Sequence, residues 1–327
     1  FVYRDSAGQW LLDTRQKIAR YGQAFGRLQD RADVSASART SMNIEAVGMS
    51  AIRQLYPERA RMIVEAIDLA TFYVQNCKLN LALLAPGIAP VTRIHRFVNS
   101  FFGIDINPDH GPQEIAPTLV QKLHRIVDQI LAGLLDPSLY ALDSKRFVVG
   151  SHRIDPQNNW GFTIDNDPDR RIFLTERFFA PPFSDYDNRL TNYFDRDAHA
   201  RATLLIHELS HLVATTADAA YLDSVMPFSD LIETLTQAGR DLAAYQKNRQ
   251  TTGYSRRTPV SQLFKYVDVT GNFWRDFGST PETEYIRDQI LRTTGGVDLS
   301  NARGIFMTNR GKRVDTILDN ADSVAFL

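Results

Sequence analysis

Five consecutive residues, His207-Glu208-Leu209-Ser210-His211, carry the densest chemistry in the chain. On an α-helix, side chains four apart stand one turn above each other on one face. Two imidazoles at that spacing can reach a single Zn²⁺. The glutamate between them points to the side of the pair, where it can take a proton from the attacking water. Seven histidines in 327 residues make a chance HExxH rare, so the pattern is read as a metal motif rather than a solvated polar face.

A catalytic zinc needs a third protein ligand and an open fourth position. Position 217 is alanine and no histidine follows His211, which excludes a third histidine six residues on. Two carboxylates stay open. Glu233 lies 22 residues past His211, a spacing that suits a ligand from a following helix. Asp218 lies seven residues past it, within Thr-Thr-Ala-Asp-Ala-Ala-Tyr at 215–221.

These groups need a helix under them. An N-terminus near Asp197 or Ala198 suits the acidic residues there. Leu205, Ile206, Leu209, Leu212 and Val213 fall on the side of the wheel opposite the histidines, so the helix has a core stripe and its histidine pair faces a cleft or solvent. Upstream, residues 146–150 (RFVVG), the alternating Trp160, Phe162 and Ile164, and residues 171–178 (RIFLTERF) read as strands around a turn at 166–169. The acidic run 165–169 lacks the Gly and closing Glu of a calcium loop.

Residues 1 to about 140 read as helical: 11–32, then a helix opened by Pro57 with Ile63, Ala66, Ile67, Ala70, Val74, Cys77 and Leu81 at helical spacing, then 119–134, stopped by Asp136-Pro137. Three prolines and two glycines make 103–117 a linker. Residues 224–312 read as mostly helical with loops. The expected class is mainly α with a small β-sheet (α+β), an accessory helical region at 1–115 preceding a catalytic domain at 116–327.

Composition removes several alternatives. Lys+Arg 37 against Asp+Glu 38 gives a net charge of −1, no basic footprint for nucleic acid. The longest apolar stretch, 70–91, is interrupted by Gln75, Asn76, Lys78 and Asn80 and cannot span a bilayer. No phosphate-binding Gly-rich loop or Gly-x-Ser-x-Gly elbow is present. The single cysteine, Cys77, excludes an internal disulfide, and its place on an apolar stripe makes it a buried small hydrophobe rather than a nucleophile. His95, His110, His124, His152 and His199 have no ligand spacing among themselves and read as structural or surface residues. The chain opens on Phe-Val-Tyr-Arg-Asp, without an initiator Met or signal-peptide pattern, and reads as part of a larger polypeptide.

HExxH followed by Thr216, Asp218 and Tyr221 resembles the aspzincin family, the deuterolysin and lysine-specific metalloendopeptidase group, whose signature continues Gly-Thr-x-Asp-x-x-Tyr-Gly. Thr215 and Leu222 stand where the family has glycines, the spacer is shorter than in the secreted fungal members, and their disulfide framework is missing. Residues 320–326 (NADSVAF) resemble the family's closing Asn-Ala-Asp-Ser-Tyr-Ala, with Val324 for Tyr. The resemblance covers about 140–223 and 313–327 and says nothing about 1–115. It implies a zincin-like fold, Zn²⁺ held by His207, His211 and Asp218, Glu208 as general base, and Tyr221 as hydrogen-bond donor to the developing oxyanion. Asp322, at the edge of a stripe of Val314, Ile317, Leu318, Ala321 and Val324, is either a partner of a ligand, a pocket acid or a boundary residue. Family members can prefer lysine after the scissile bond.

The expected function is therefore zinc-dependent cleavage of protein or peptide substrates. The resemblance also places such a domain in a larger bacterial toxin or effector, secreted or delivered to a host. The alternative from another class is a helical interaction module in which the HExxH is vestigial.

Overall fold

A computed structural model describes residues 34, 36–85, 93–102, 117–154, 159–165, 167–181, 195–222, 224–226, 232–252, 258–267 and 273–327. In chain order the elements are α1 (Ala36–Ser41), β1 (Met42–Val47), α2 (Met49–Leu55), α3 (Pro57–Ala82), α4 (Arg93–Phe101), α5 (Pro117–Leu134) and α6 (Pro137–Tyr140). There follow β2 (Phe147–His152), β3 (Gly161–Thr163), β4 (Ile172–Leu174), α7 (Glu176–Phe179), α8 (Arg196–Ala214), α9 (Gln237–Thr252), β5 (Lys265–Val267) and β6 (Trp274–Asp276). A 3₁₀ turn (Pro281–Thr283) leads into α10 (Glu284–Thr294), α11 (Leu299–Thr308), α12 (Arg310–Leu318) and α13 (Ala321–Ala325). The protein is mostly helical with a small mixed sheet, and no helix among the described residues is long and apolar enough to cross a membrane.

The chain divides into two compact units, one of Phe1–Arg61 with Pro137–Phe179, the other of Met62–Asp136 with Ala180–Leu327. The first holds a four-stranded sheet in the order β1-β2-β4-β3, with β2 and β4 parallel and the other pairs antiparallel. Phe162 and Phe173 stack across β3 and β4 at 4.8 Å, over a core of Met42, Val47 and Val148. The β1–β2 register shifts between Ile44 and Ala46. There the backbone comes so close that a Cβ on Gly150 would lie 2.0 Å from the Asn43 carbonyl oxygen, which reserves the position for glycine.

The second unit is built on α8. Asp195 caps its N-terminus, accepting from the Ala198 N–H at 2.9 Å, which satisfies one of the free donors of the first turn. Residues 199–210 are buried on every side of this helix and His211 is half-buried, so of the two settings the wheel left open, cleft or solvent, the histidine pair does not have open solvent. Polar neighbours surround it rather than a one-sided apolar core. Gly133 of α5 lets the two helices approach, since a Cβ there would meet Leu209 at 3.0 Å and Val213 at 3.1 Å.

The long helices and the strands β2 and β3 lie where the periodicity puts them. Three corrections come from short segments. β1 is a strand inside the stretch read as helical, because pairing with β2 outweighs local preference. The strand at 171–178 stops at Leu174, after which Thr175 accepts from the Arg177 N–H at 3.2 Å and starts the turn of α7. The β5–β6 hairpin interrupts the helical stretch 224–312. The expected helix at 11–32 and the linker at 103–116 lie outside the described residues, and Pro117 opens α5.

Candidate metal centre

His207 and His211 stand one turn apart on α8 with ring centroids 5.0 Å apart. The helix ends at Thr215, which adopts the left-handed conformation at φ 57° and turns the chain back so that Asp218 faces both imidazoles. Asp218 Oδ1 lies 3.0 Å from His207 Nε2 and 3.4 Å from His211 Nε2. One ligand atom from each of the three residues lies within 4.8 Å of the others, a group able to hold a metal ion.

Hydrogen bonding on the far side of each ring settles which nitrogen faces the centre. His211 Nδ1 lies 2.8 Å from the Thr216 carbonyl oxygen, which can only accept, so Nδ1 carries the proton. His207 Nδ1 lies 3.5 Å from Asp322 Oδ1, again an acceptor. In neutral rings both Nε2 atoms therefore direct lone pairs toward a carboxylate oxygen. Asp218 Oδ1 is buried with no hydrogen-bond partner, and so is Glu208 Oε2. Three electron-rich atoms facing one another require a positive charge among them, which is the fit expected of a cation site. The proton form of that requirement is visible too. Burial would push His207 down, but the adjacent Asp218 carboxylate, with Asp322 behind the ring, raises it well above the histidine range. His211 is raised likewise, against its burial, by Asp218. Burial would raise Asp218, yet the two imidazoles hold it far below the carboxylate range. Glu208, 3% exposed, is raised by burial, partly offset by both histidines.

The loop carrying Asp218 is pinned to the C-terminal segment about a hundred positions away. Ala217 N–H donates to Asp319 O at 2.8 Å and Ala321 N–H to Ala217 O at 3.0 Å. The fully buried Asn320 side chain accepts from Ala220 N–H at 2.8 Å and donates to Ala220 O at 3.0 Å. Asp322 accepts from Leu222 N–H, Ser224 N–H and the Ser224 hydroxyl. Asp322 is thus the carboxylate behind His207, fixing the ring as such partners do in metal sites. Leu222 is buried and hands its N–H to that carboxylate.

Tyr221 lies over His207, rings nearly parallel at 6.2 Å. The residue is 61% exposed, and desolvation, then the Asp218 and Glu208 charges, raise its pKa well above the usual tyrosine value. Glu233 is elsewhere engaged: Oε1 accepts from Leu235 N–H at 3.0 Å in a local turn, and the metal-capable group does not include it. Cys77 donates to Leu327 O at 3.5 Å, and burial pushes its thiol up to about 12, which suits a packed residue rather than a nucleophile. His199 is fully buried, its Nε2 3.3 Å from Met226 O and its Nδ1 3.2 Å from the Tyr73 hydroxyl.

Ser224 escapes a reading from sequence, and Asn320 is legible only as part of the NADSVAF segment whose resemblance pointed there. No protein-family model, curated protein or solved structure matches the chain.

Proposed function

We propose that this chain is a zinc metalloendopeptidase of aspzincin type with a zincin-like catalytic fold. The reading rests on one observation above all: two imidazole nitrogens and one carboxylate oxygen converge beside the buried glutamate of an HExxH helix. His207, His211 and Asp218 would hold Zn²⁺, and this nitrogen and oxygen donor set with no thiolate is that of a catalytic rather than a structural zinc. Zinc, when bound, supplies a Lewis acid that polarises a peptide carbonyl and acidifies water.

The remaining chemistry belongs to the chain. Glu208, raised by burial, is suited to take a proton from the attacking water and give it to the leaving amine. Tyr221, held protonated by its raised pKa, can donate a hydrogen bond to the carbonyl oxygen as negative charge develops. Asp322 and the Thr216 carbonyl hold the two rings in their orientation.

Zinc titration of the wild type, Asp218→Ala and Glu233→Ala, each followed by hydrolysis of an unstructured protein, tests this reading. Asp218→Ala is expected to lose both zinc and hydrolysis, and Glu233→Ala to keep both. The reverse pattern would make Glu233 the ligand and end the aspzincin reading.

A further inference from the structure

Two buried hydroxyls link the candidate ligands behind their rings. Ser210, the residue just before His211, donates to the His207 carbonyl oxygen at 2.7 Å. Its Oγ also lies 2.7 Å from Thr216 Oγ1. Thr216 follows the helix cap at Thr215 and begins the loop that carries Asp218. Its Oγ1 lies 3.3 Å from His211 Nδ1, the same nitrogen that its carbonyl oxygen faces at 2.8 Å. Ser210 is fully buried and Thr216 is 7% exposed.

The acceptors at the two ends fix where each proton lies. The His207 carbonyl oxygen can only accept, so it takes the Ser210 proton. His211 Nδ1 carries its own proton toward Thr216 O and cannot accept a second. The Thr216 hydroxyl proton therefore turns to Ser210 Oγ, and Thr216 Oγ1 is left with lone pairs toward His211 Nδ1–H. The bonds run one way, from the His211 ring through Thr216 and Ser210 to the His207 backbone. They start on one candidate ligand, end on the other, and cross from helix to loop.

Helix formation does not call for this serine. Alanine is the better helix former, and a serine that bonds back to the preceding turn gains the helix nothing. A hydroxyl pair buried out of water is also close to neutral against two apolar groups of the same shape. What the pair supplies is direction.

We propose that Ser210, acting through Thr216, is a positioning residue of the metal centre. The two hydroxyls hold His211 in the Nδ1–H form with Nε2 turned to the cation. They also tie the start of the Asp218 loop to the turn of α8 that carries both histidines. This rests on the zinc peptidase reading of the same site and deepens it.

The test compares the whole chain as wild type, Thr216→Ser, Thr216→Val, Ser210→Ala and the double variant Ser210→Ala/Thr216→Val. Zn²⁺ affinity is read by competition with a chromogenic chelator, metal geometry from the visible d–d bands after Co²⁺ substitution, and metal-free stability from urea midpoints in excess chelator. Thr216→Val and Ser210→Ala should each weaken Zn²⁺ binding about ten-fold, the scale of a lost ring-orienting partner. The double variant should lose no more than either single change, because the two hydroxyls act as one chain. Its metal-free midpoint should match wild type while its Co²⁺ bands shift. Thr216→Ser keeps the hydroxyl and should keep wild-type affinity and bands. Wild-type affinity and bands in the double variant, or an affinity loss in Thr216→Ser equal to that in Thr216→Val, overturn the inference and leave the peptidase reading standing. If the double variant does not fold, the contrast between Thr216→Ser and Thr216→Val decides alone. Weakened Zn²⁺ in the variants of a chain that cleaves nothing supports the inference and sinks the peptidase reading. A wild type that takes up no Zn²⁺ overturns both.

Discussion

Thr215 shows how a single residue carries the geometry of the centre. A β-branched residue at φ 57° is sterically disfavoured, and such left-handed conformations cost on the order of 1–2 kcal/mol without glycine. The conformation is needed because the chain must reverse within a few residues to bring Asp218 to the histidines. Thr215→Gly should therefore raise stability by about 1 kcal/mol while keeping zinc affinity. An unchanged or lowered urea midpoint would show that the threonine is unstrained. Behind the opposite ligand, Asp322→Asn should keep the fold but weaken zinc binding about 10–100-fold, as loss of a ring-orienting carboxylate does. Competition with a chromogenic chelator measures this, and wild-type affinity would remove Asp322 from the site. The HExxH histidines are visible in sequence as a pair because helix geometry guarantees their proximity. Asp322 is legible only as one of three alternatives, a partner of a ligand, a pocket acid or a boundary residue, because its partners Leu222 and Ser224 lie 100 and 98 positions away and no local pattern encodes that distance.

At the scale of elements, α8 carries more than the ligands. His199, one of its buried residues, is lowered to about 4 by desolvation, against the pull of backbone carbonyls at Met226 and Ser224. A histidine ordinarily near 6.5 that stays neutral in the folded chain takes its proton first in the unfolded chain. Its contribution is complete above pH 6.5 and is lost as pH falls from 6.5 toward 4. Between pH 7 and 4.5 the wild type should lose about 2 kcal/mol more stability than His199→Gln, read from urea midpoints at the two pH values. Parallel losses would mean that His199 titrates normally. Long helices such as α3, α5 and α8 are legible in sequence because fifteen or more residues of apolar periodicity average out exceptions. β1 is not, since its bulge between Ile44 and Ala46 breaks the alternation that marks a strand. The three-residue strands β5 and β6 are too short to show a period at all.

For the whole molecule, the candidate metal centre joins chain segments that only the tertiary fold brings together: α8, the loop at 215–222, and α13 near the C-terminal end. Zinc that binds the folded chain alone stabilises it by mass action, about 4 kcal/mol when free zinc exceeds its dissociation constant a thousand-fold. A strong chelator should lower the melting temperature of the wild type and leave that of Asp218→Ala unmoved; equal shifts would mean that zinc acts elsewhere. The two resembling motifs, at 216–221 and 320–326, read as separate patches in sequence, and their joining through Ala217, Asn320 and Asp322 is a property of the fold. The central claim is that this joined site is catalytic. Its most direct test is turnover of one peptide by wild type and Glu208→Gln, with zinc content measured on the same samples. One zinc per chain in both, with turnover in Glu208→Gln reduced more than a thousand-fold, is the result expected when the proton carrier is removed and the metal is kept. Equal turnover in the two proteins, or zinc-loaded wild type that cleaves nothing, would contradict it and favour an interaction module with a vestigial site.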